Sequence, residues 1–291
     1  MVERNNTANF LINIVFILLS IFCVVPIFLV VGASFSDNVA LRKEGYSIIP
    51  HDFTLTAYEY IFKTPKSILS AYGVSITVTV VGTVLSLLLT TMLAYTMSRK
   101  DFKAHKFLSF LVFFAMMFNA GMIPTYITFV RYYHLRDTLA ALIVPYLIAP
   151  WHVFLMRSFL SDTPVSLIEA ARMDGAGEFR TFFQIVVPLA KPALATVGLF
   201  TAFIYWNDWY LSMMYIEDQF LISLQFYLYR IMNNINFLTT SMFTTGVDLT
   251  KLPSETTRMA MCVLAAGPML IVFPFFQKYF VKGLSVGSVK G

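Results

Sequence analysis

The sequence predicts an all-α integral membrane protein: six transmembrane helices and, between the fourth and fifth, a short polar elbow on the cytoplasmic side. Three observations lead there. Of 291 residues, 58% are apolar, 16% aromatic and only 13% charged, whereas about a quarter of a soluble domain is charged. Six apolar runs approach or exceed the roughly 17–25 residues a helix needs to cross a ~30 Å hydrocarbon layer. Lysine and arginine gather in connections beside these runs, so the net charge of +5 and pI near 9.1 read as topology signals and not as a nucleic-acid surface.

The first run, Phe10 to Val31, is interrupted by Pro26. It exceeds the roughly 7–15 residues of a signal-peptide core, so it is expected to remain as a span although Gly32-Ala33-Ser34 after it mimics a cleavage site. A polar outer loop follows through Asn38, Arg42, Lys43, Glu44 and Lys66. The second run, Ala71 to Met97, is longer than the hydrocarbon and is expected to tilt or to enter a headgroup region. Its Gly82 and Ser86 mark a stripe of small residues for close helix packing.

The third run, Phe107 to Val130, holds Asn119, Gly121, Pro124 and Tyr126. Glycine and proline so close together predict a break, which is tolerated at membrane depth where backbone lines protein or a cavity. Asn119 and Tyr126 are therefore candidates for a solute pathway, against the plain alternative of a kink with Asn119 bonding backbone. The fourth run is Thr138 to Phe159 and the fifth Leu189 to Tyr215. Toward the outer end of the fifth lie Tyr205, Trp206, Asn207, Asp208, Trp209 and Tyr210. Flat aromatic faces stack on sugar rings, and Asn and Asp supply the fixed donors and acceptors that hydroxyls need. An interfacial aromatic belt would also enrich Trp and Tyr. Asp208 favours a pathway, because an ionisable residue in a span faces a cavity or the bundle interior.

The connection 216–257 contains Gln219 to Met232, apolar but about 14 residues and so short for a span; it is expected to be a helix on the outer face. Met259 to Phe280 is the last run. With no internal repeat or low-complexity tract, residues 1–291 form one expected membrane domain. The short loop carrying Arg99, Lys100, Lys103 and Lys106 sets the orientation, with both termini and the elbow inside.

The elbow, residues 163–187, is polar and helix-forming between two spans. Thr163 before Pro164 reads as an N-cap with proline at the first helical position, and Gly175 sits where a left-handed C-terminal cap belongs. A short helix, a break at Gly175 to Gly177 and an amphipathic helix with Phe179, Phe182, Phe183 and Val186 are expected. Ala170 and Ala171 leave room for close approach of a partner, Glu169 is a charged handle, and Asp174 is free to cap or pair locally.

Glu169-Ala170-Ala171, three residues to Gly175, nine more to Ile185 and then Pro188 resembles the EAA loop of ATP-binding-cassette (ABC) importer permeases. Val187 stands where leucine is usual and keeps the apolar contact. Leu93-Ala94-Tyr95-Thr96-Met97-Ser98-Arg99, Tyr205-Trp206-Asn207-Asp208-Trp209, Gln277-Lys278-Tyr279-Phe280 and the tail Gly283 to Gly291 are similar to the carbohydrate branch, in the second-subunit type of the maltose permease. Within that branch they look most like importers of complex oligosaccharides or polysaccharides.

The resemblance implies a type I ABC importer permease fold, with coupling to an ATPase through Glu169, Ala170, Ala171, Asp174 and Gly175. It implies as partners a second homologous permease, two ATP-binding-cassette ATPase subunits that bind ATP and Mg, an extracellular or periplasmic solute-binding protein, a glycan, and the lipid of the bacterial cytoplasmic membrane. The tail from Gly283 is implied to reach between the ATPase subunits. No cofactor, metal or catalytic residue is expected in this chain. It has no Gly-x-x-x-x-Gly-Lys-Ser/Thr phosphate loop, and His51, His105, His134 and His152 lack metal-ligand spacing. Cys23 and Cys262 lie in apolar runs, where a packed thiol is the expectation. A permease for another solute such as peptides stays open, as does an ion-coupled transporter, although the latter needs titratable groups in several spans.

Overall fold

In the computed structural model, which describes residues 6–245 and 254–287, all regular structure is helical apart from one isolated antiparallel bridge between Ser36 and Phe53. Three helices are long and apolar enough to cross a membrane, Phe10–Ser34, Pro65–Ser98 and Ser254–Gln277; there are up to six spans if each of three bent helix pairs counts as one. The expected first, second and sixth runs are thus continuous helices. The other three are broken.

The chain divides into two compact units. The first joins Met1–Ile68 to Leu228–Pro268. Its opening helix α1 (Asn6–Ser34) is exposed along its apolar stretch, from Phe10 to Phe28. The small residues at its end do more than mimic a cleavage site: a side chain on Gly32 would collide with the Ser47 and Ile48 carbonyls, so the chain after α2 (Asn38–Glu44) passes directly over it. Asp37 caps α2 by accepting from the Val39 and Ala40 amides, as a short-chain acceptor at an N-cap does. Phe35 stacks on Phe53 and on Tyr58 of α3 (Thr56–Ile61). Asn38 accepts from the Glu255 amide and Arg42 donates to Ser254 Oγ, which ties α2 to the first turn of the long C-terminal helix Ser254–Gly287.

The second unit joins Leu69–Tyr227 to Met269–Gly291. Most of α4 (Pro65–Ser98) runs through it; 34 residues at 1.5 Å each give about 51 Å, more than the hydrocarbon needs, as expected. The expected third span is α5 (His105–Met117) and α6 (Met122–Ile127), the latter continued by a π-helical turn Thr128–Tyr132, bent by 115° at the predicted break. The expected fourth is α7 (Leu139–Ile143), prolonged by a 3₁₀ turn to Tyr146, and α8 (Pro150–Ser161), bent by 52°. The reason is Pro150. It opens α8 and forces Ala149 to ψ 113°, since the residue before proline is driven out of the helical region.

The elbow follows as α9 (Val165–Met173), α10 (Glu178–Thr181), a π-helical turn Phe182–Val186 and α11 (Val187–Leu189). An 82° bend leads into α12 (Lys191–Trp206). Pro192 lacks the amide that would continue the ladder there. The expected fifth span does not run on to Tyr215: α12 stops at Trp206, Asn207 to Trp209 are non-helical, and α13 (Tyr210–Tyr215) begins afresh. Of the apolar stretch expected as a surface helix at 219–232, residues 224–232 lie in α14 (Leu224–Thr245) and residues 219–223 are non-helical; α15 is Ser254–Gly287. Of the tail predicted from Gly283, residues 288–291 lie outside the described residues.

One core joins α4, α5, α8, the elbow and α12: Ala94, Met97, Val112, Val153, Met156, Leu160, Ile168, Phe182, Val186 and Val197. It fixes the elbow to the ends of the helices around it.

Candidate functional site

Helix α9 starts one residue later than predicted. Pro164 is its N-cap, with ψ 123° and no side-chain hydrogen bond, and the Leu167 amide reaches the Pro164 carbonyl, so Thr163 does not cap it. The C-terminus is as predicted. Gly175 has φ +76°, the Ala176 amide donates to Ala171 O at 2.9 Å and the Gly175 amide to Arg172 O at 3.0 Å. Those paired bonds are a Schellman motif, which satisfies the last carbonyls of the helix without a partner.

On this elbow Ile168 and Ala171 are buried while Glu169, Ala170 and Asp174 are exposed. The adjacent alanines therefore divide: Ala171 packs inward, and Ala170 keeps the outer face shallow. The Glu169 and Asp174 carboxylates make no hydrogen bond or ion pair among the described residues. In the second half Phe182 and Val186 are buried, Phe179 is 71% and Phe183 50% exposed. The expected amphipathic helix is present with its phenylalanines shared between core and surface.

A cluster that the sequence did not reveal stands beside it. Arg99, just past α4, donates to Asp101 through Nε (2.8 Å) and Nη2 (2.5 Å), and through Nη1 to Glu178 (3.1 Å) and to Tyr95 Oη. Arg172 donates from Nη2 to Asp101 (2.9 Å) and to Glu178 (2.7 Å). Each guanidinium thus touches both carboxylates. The Arg99 guanidinium holds the Asp101 carboxyl well below the usual carboxylate range, with Arg172 adding to it. The ring rims a cavity of about 370 Å³ lined also by Met92, Phe102, Phe179 and Phe182. These partners are 71 and 79 residues apart in the chain, and no local spacing could pair them.

The pathway candidates fall in two places. At the first, Asn119 Oδ1 accepts from the Gly121 amide at 2.8 Å, and Gly121 has φ +88°. Asn119 and glycine build the break together. Tyr126 stacks on Tyr215 with ring centroids 5.7 Å apart.

At the second, Tyr205 and Trp206 are buried. The Tyr205 ring lies on Gly82, where an added Cβ would come within 2.6 Å of it, and its hydroxyl donates to Ile143 O at 2.9 Å. The predicted small-residue notch in α4 is thus the seat of a tyrosine that also holds the end of α7. Asp208 is half-buried: Tyr146 Oη donates to its Oδ1 (2.9 Å) and the Leu211 amide to its Oδ2 (3.1 Å), so it caps α13. Asn207 is exposed and donates through Nδ2 to Phe203 O. Its carboxamide oxygen is left over. Trp209 and Tyr210 are more than a third exposed. Tyr126 and Asp208 meet through α13, which carries Tyr215 at one end and the cap at the other.

Among the described residues no three His, Cys, Asp or Glu side chains come together in a way that could hold a metal ion. The whole chain matches known proteins. A family model described as binding-protein-dependent transport system inner membrane component covers residues 4–286. The polygalacturonan/rhamnogalacturonan transport system permease protein YtcP of Bacillus subtilis is 38% identical over 291 residues, 99% of this chain and 100% of that one. The arabinooligosaccharides transport system permease protein AraQ of Halalkalibacterium halodurans is 32% identical, over 97% of each. Among solved structures, a chain of a bacterial ABC transporter involved in the import of the acidic polysaccharide alginate superposes with a TM-score of 0.78 at 29% identity, covering 96% of this chain and 99% of that one.

Proposed function

The chain belongs to the binding-protein-dependent transport system inner membrane components, and we propose that it is the permease subunit of an ATP-driven importer of oligosaccharides or polysaccharide fragments. The observation that carries this reading is the end-to-end match with permeases named for polygalacturonan/rhamnogalacturonan and for arabinooligosaccharides. Its relatives are transport components and not enzymes, and the chain is a subunit of that kind.

In this proposal residues 1–291 are one multi-pass domain of six spans in the bacterial cell membrane, with both termini and the elbow cytoplasmic. A second homologous permease completes the pathway, two ATPase subunits bind ATP and Mg, and a solute-binding protein delivers the glycan from outside. The elbow docks on an ATPase. Glu169 and Asp174 offer uncommitted carboxylates, Ala170 a shallow face, Ala171 the anchor to the core and Gly175 the turn. In the pathway, Asn207 meets glycan hydroxyls with its spare oxygen, while Asn119, Tyr126, Tyr205, Trp206 and Asp208 shape the wall beside the two helix breaks.

Two measurements test it. A cysteine replacing Lys103 is expected to be shielded in intact cells from a membrane-impermeant thiol reagent, and one replacing Lys43, an exposed residue of the expected outer loop, to label. Labelling at position 103 would place the elbow outside and end the proposal. Glu169→Lys is expected to insert normally but to lose the ATPase in pull-down together with transport-stimulated hydrolysis; wild-type values for both would remove the docking role.

A further inference from the structure

We propose that the charge ring Arg99–Asp101–Arg172–Glu178 is the joint through which displacement of elbow helix α9 reaches the membrane helix α4. This rests on the docking role proposed for the elbow and adds the route inward from it.

The first argument is the choice of partners. Arg172 lies on α9 with Glu169 three residues before it and Asp174 two after, so local ion pairs were available, the i,i+3 pair being the ordinary one on a helix. It takes neither. It reaches instead to Asp101 in the loop after α4 and to Glu178 at the start of α10, leaving Glu169 and Asp174 uncommitted. The carboxylates of the region are thus sorted into two that bind inward and two that face out.

The second argument is closure. A single exposed ion pair holds little, because solvent and side-chain entropy compete with it. Here all four cation–anion contacts are made, from three separate stretches of chain, and the Arg99 side chain is only 12% exposed. Once one pair is ordered, the next costs less entropy. Planar guanidinium groups suit this arrangement because each presents several donors in a fixed fork.

The third argument is what lies beneath. Tyr95 of α4 accepts from Arg99, donates to Glu178 at 3.3 Å and packs its ring 5.5 Å from that of Phe182. The ring therefore sits on a contact between α4 and the elbow's second half. Since α9 is only nine residues long and capped internally at Gly175, it moves as a small rigid piece. Through Arg172, a push on its outer face is delivered to Asp101 and hence to the end of α4. Arg172 and Asp101 are positioning residues in this scheme and touch neither nucleotide nor glycan.

The test uses the full transporter in proteoliposomes with its binding protein and a transported oligosaccharide, reading ATPase pull-down, ATP hydrolysis and uptake per ATP. Arg172→Gln and Asp101→Asn are expected to keep the ATPase and to hydrolyse ATP, while uptake per ATP falls about fivefold or more, the low end of measured coupling between sites. The double variant should be no worse than either single one, because the ring acts as a unit. Cysteines at 101 and 172, with Cys23 and Cys262 replaced, should lose coupling when unlinked and regain it when joined by a short bis-maleimide. A purely structural ion pair would not produce that recovery. If Arg172→Gln fails to insert in the membrane, Arg172→Lys, which keeps the charge but not the fork, carries the same expectation at smaller size. Unchanged uptake per ATP in the variants overturns the joint. So does loss of the ATPase in pull-down, which would reduce the ring to a builder of the docking face. Lost coupling in ring variants beside an unaffected Glu169→Lys would sink the docking role of Glu169 and leave the joint standing.

Discussion

The breaks at Asp174–Gly177 and at Asn207–Trp209 meet the same demand, a helix that must stop and restart within three or four residues, with opposite chemistry. At the first, glycine in the left-handed region turns the chain, the end carbonyls bond internally, and four charges from three stretches lock the flanks. Three of those charged side chains are roughly half exposed. At the second there is no glycine. A single half-buried carboxylate takes its donors from a tyrosine hydroxyl and a backbone amide. Full ion pairs serve where water shares the cost of holding charges; neutral donors serve where desolvating a cation would exceed what the pair returns. The elbow can therefore be disturbed by shape and charge alike, whereas the second break is sensitive to individual hydrogen bonds.

The largest effect that would break this contrast is at Gly175. Proline cannot adopt φ +76° and lacks the amide that bonds Arg172 O, a cost of about 3 kcal/mol or more. Gly175→Pro is expected to abolish ATPase pull-down with the protein still inserted. Gly175→Ala has open space around it and should cost only about 1–2 kcal/mol of left-handed strain. Equal behaviour of the two would mean that backbone conformation is not what the elbow needs.

At the second break, Asp208→Asn leaves Tyr146 Oη and the Leu211 amide competing for one acceptor oxygen. Losing a hydrogen bond to a charged group costs about 1.5–3 kcal/mol, enough to lower uptake several-fold with complex yield intact. An aromatic-belt role predicts a nearly silent substitution, with Trp206→Ala or Trp209→Ala impairing insertion instead. Gly82→Val should follow, since its Cβ would meet the Tyr205 ring; overpacking of this kind costs about 1–3 kcal/mol, read as a lower Tm in detergent. Gly73→Val, on the same helix with nothing within 4 Å, serves as the control. Asn207→Ala sharpens the comparison further: about 0.5–1.5 kcal/mol from one lost neutral bond to substrate should reduce uptake and leave Tm alone.

The smallest effect is an expected flat line. Because Arg99 depresses the Asp101 carboxyl, the ring's contribution is present above the ordinary aspartate value of about 3.9 and is lost only as pH falls through the depressed one. Uptake per ATP should therefore not change between pH 6 and 8 on its account. A decline in that window that disappears in Asp101→Asn would show a ring carboxylate titrating near neutrality.

How much could be read beforehand depended on whether the cause was local. Gly175 and the Asn119–Gly121 turn were legible, because a left-handed glycine and an Asx turn are decided by adjacent residues. The break at Asn207–Trp209 was hidden inside an apolar run: Asp208 reads there as a pathway candidate, and that its carboxylate also takes the Leu211 amide and the hydroxyl of Tyr146, 62 residues away, shows only in the fold. Pro150 was a visible signal for the bend before α8, obscured by a run that was apolar throughout. The charge ring left no trace, since its members appear in sequence as ordinary basic and acidic loop residues. Thr163 shows the converse, a residue with the right chemistry for a cap that the chain places one step too early.

The π-helical turns at Thr128–Tyr132 and Phe182–Val186 bear on the tolerance of the chain to length change. A π turn accommodates one residue more than an α turn over the same rise. Beyond it, every side chain is out of phase by about 100° with an uninterrupted helix. Phe182 and Val186, at the two ends of the second turn, are both buried. A one-residue deletion within 182–186 is therefore expected to close the π turn to an α turn and leave the faces beyond it where they are, whereas the same deletion inside α12, which has no residue to spare, would act as a frame error in three dimensions, rotating all that follows by about 100° away from the surfaces it was cut to fit.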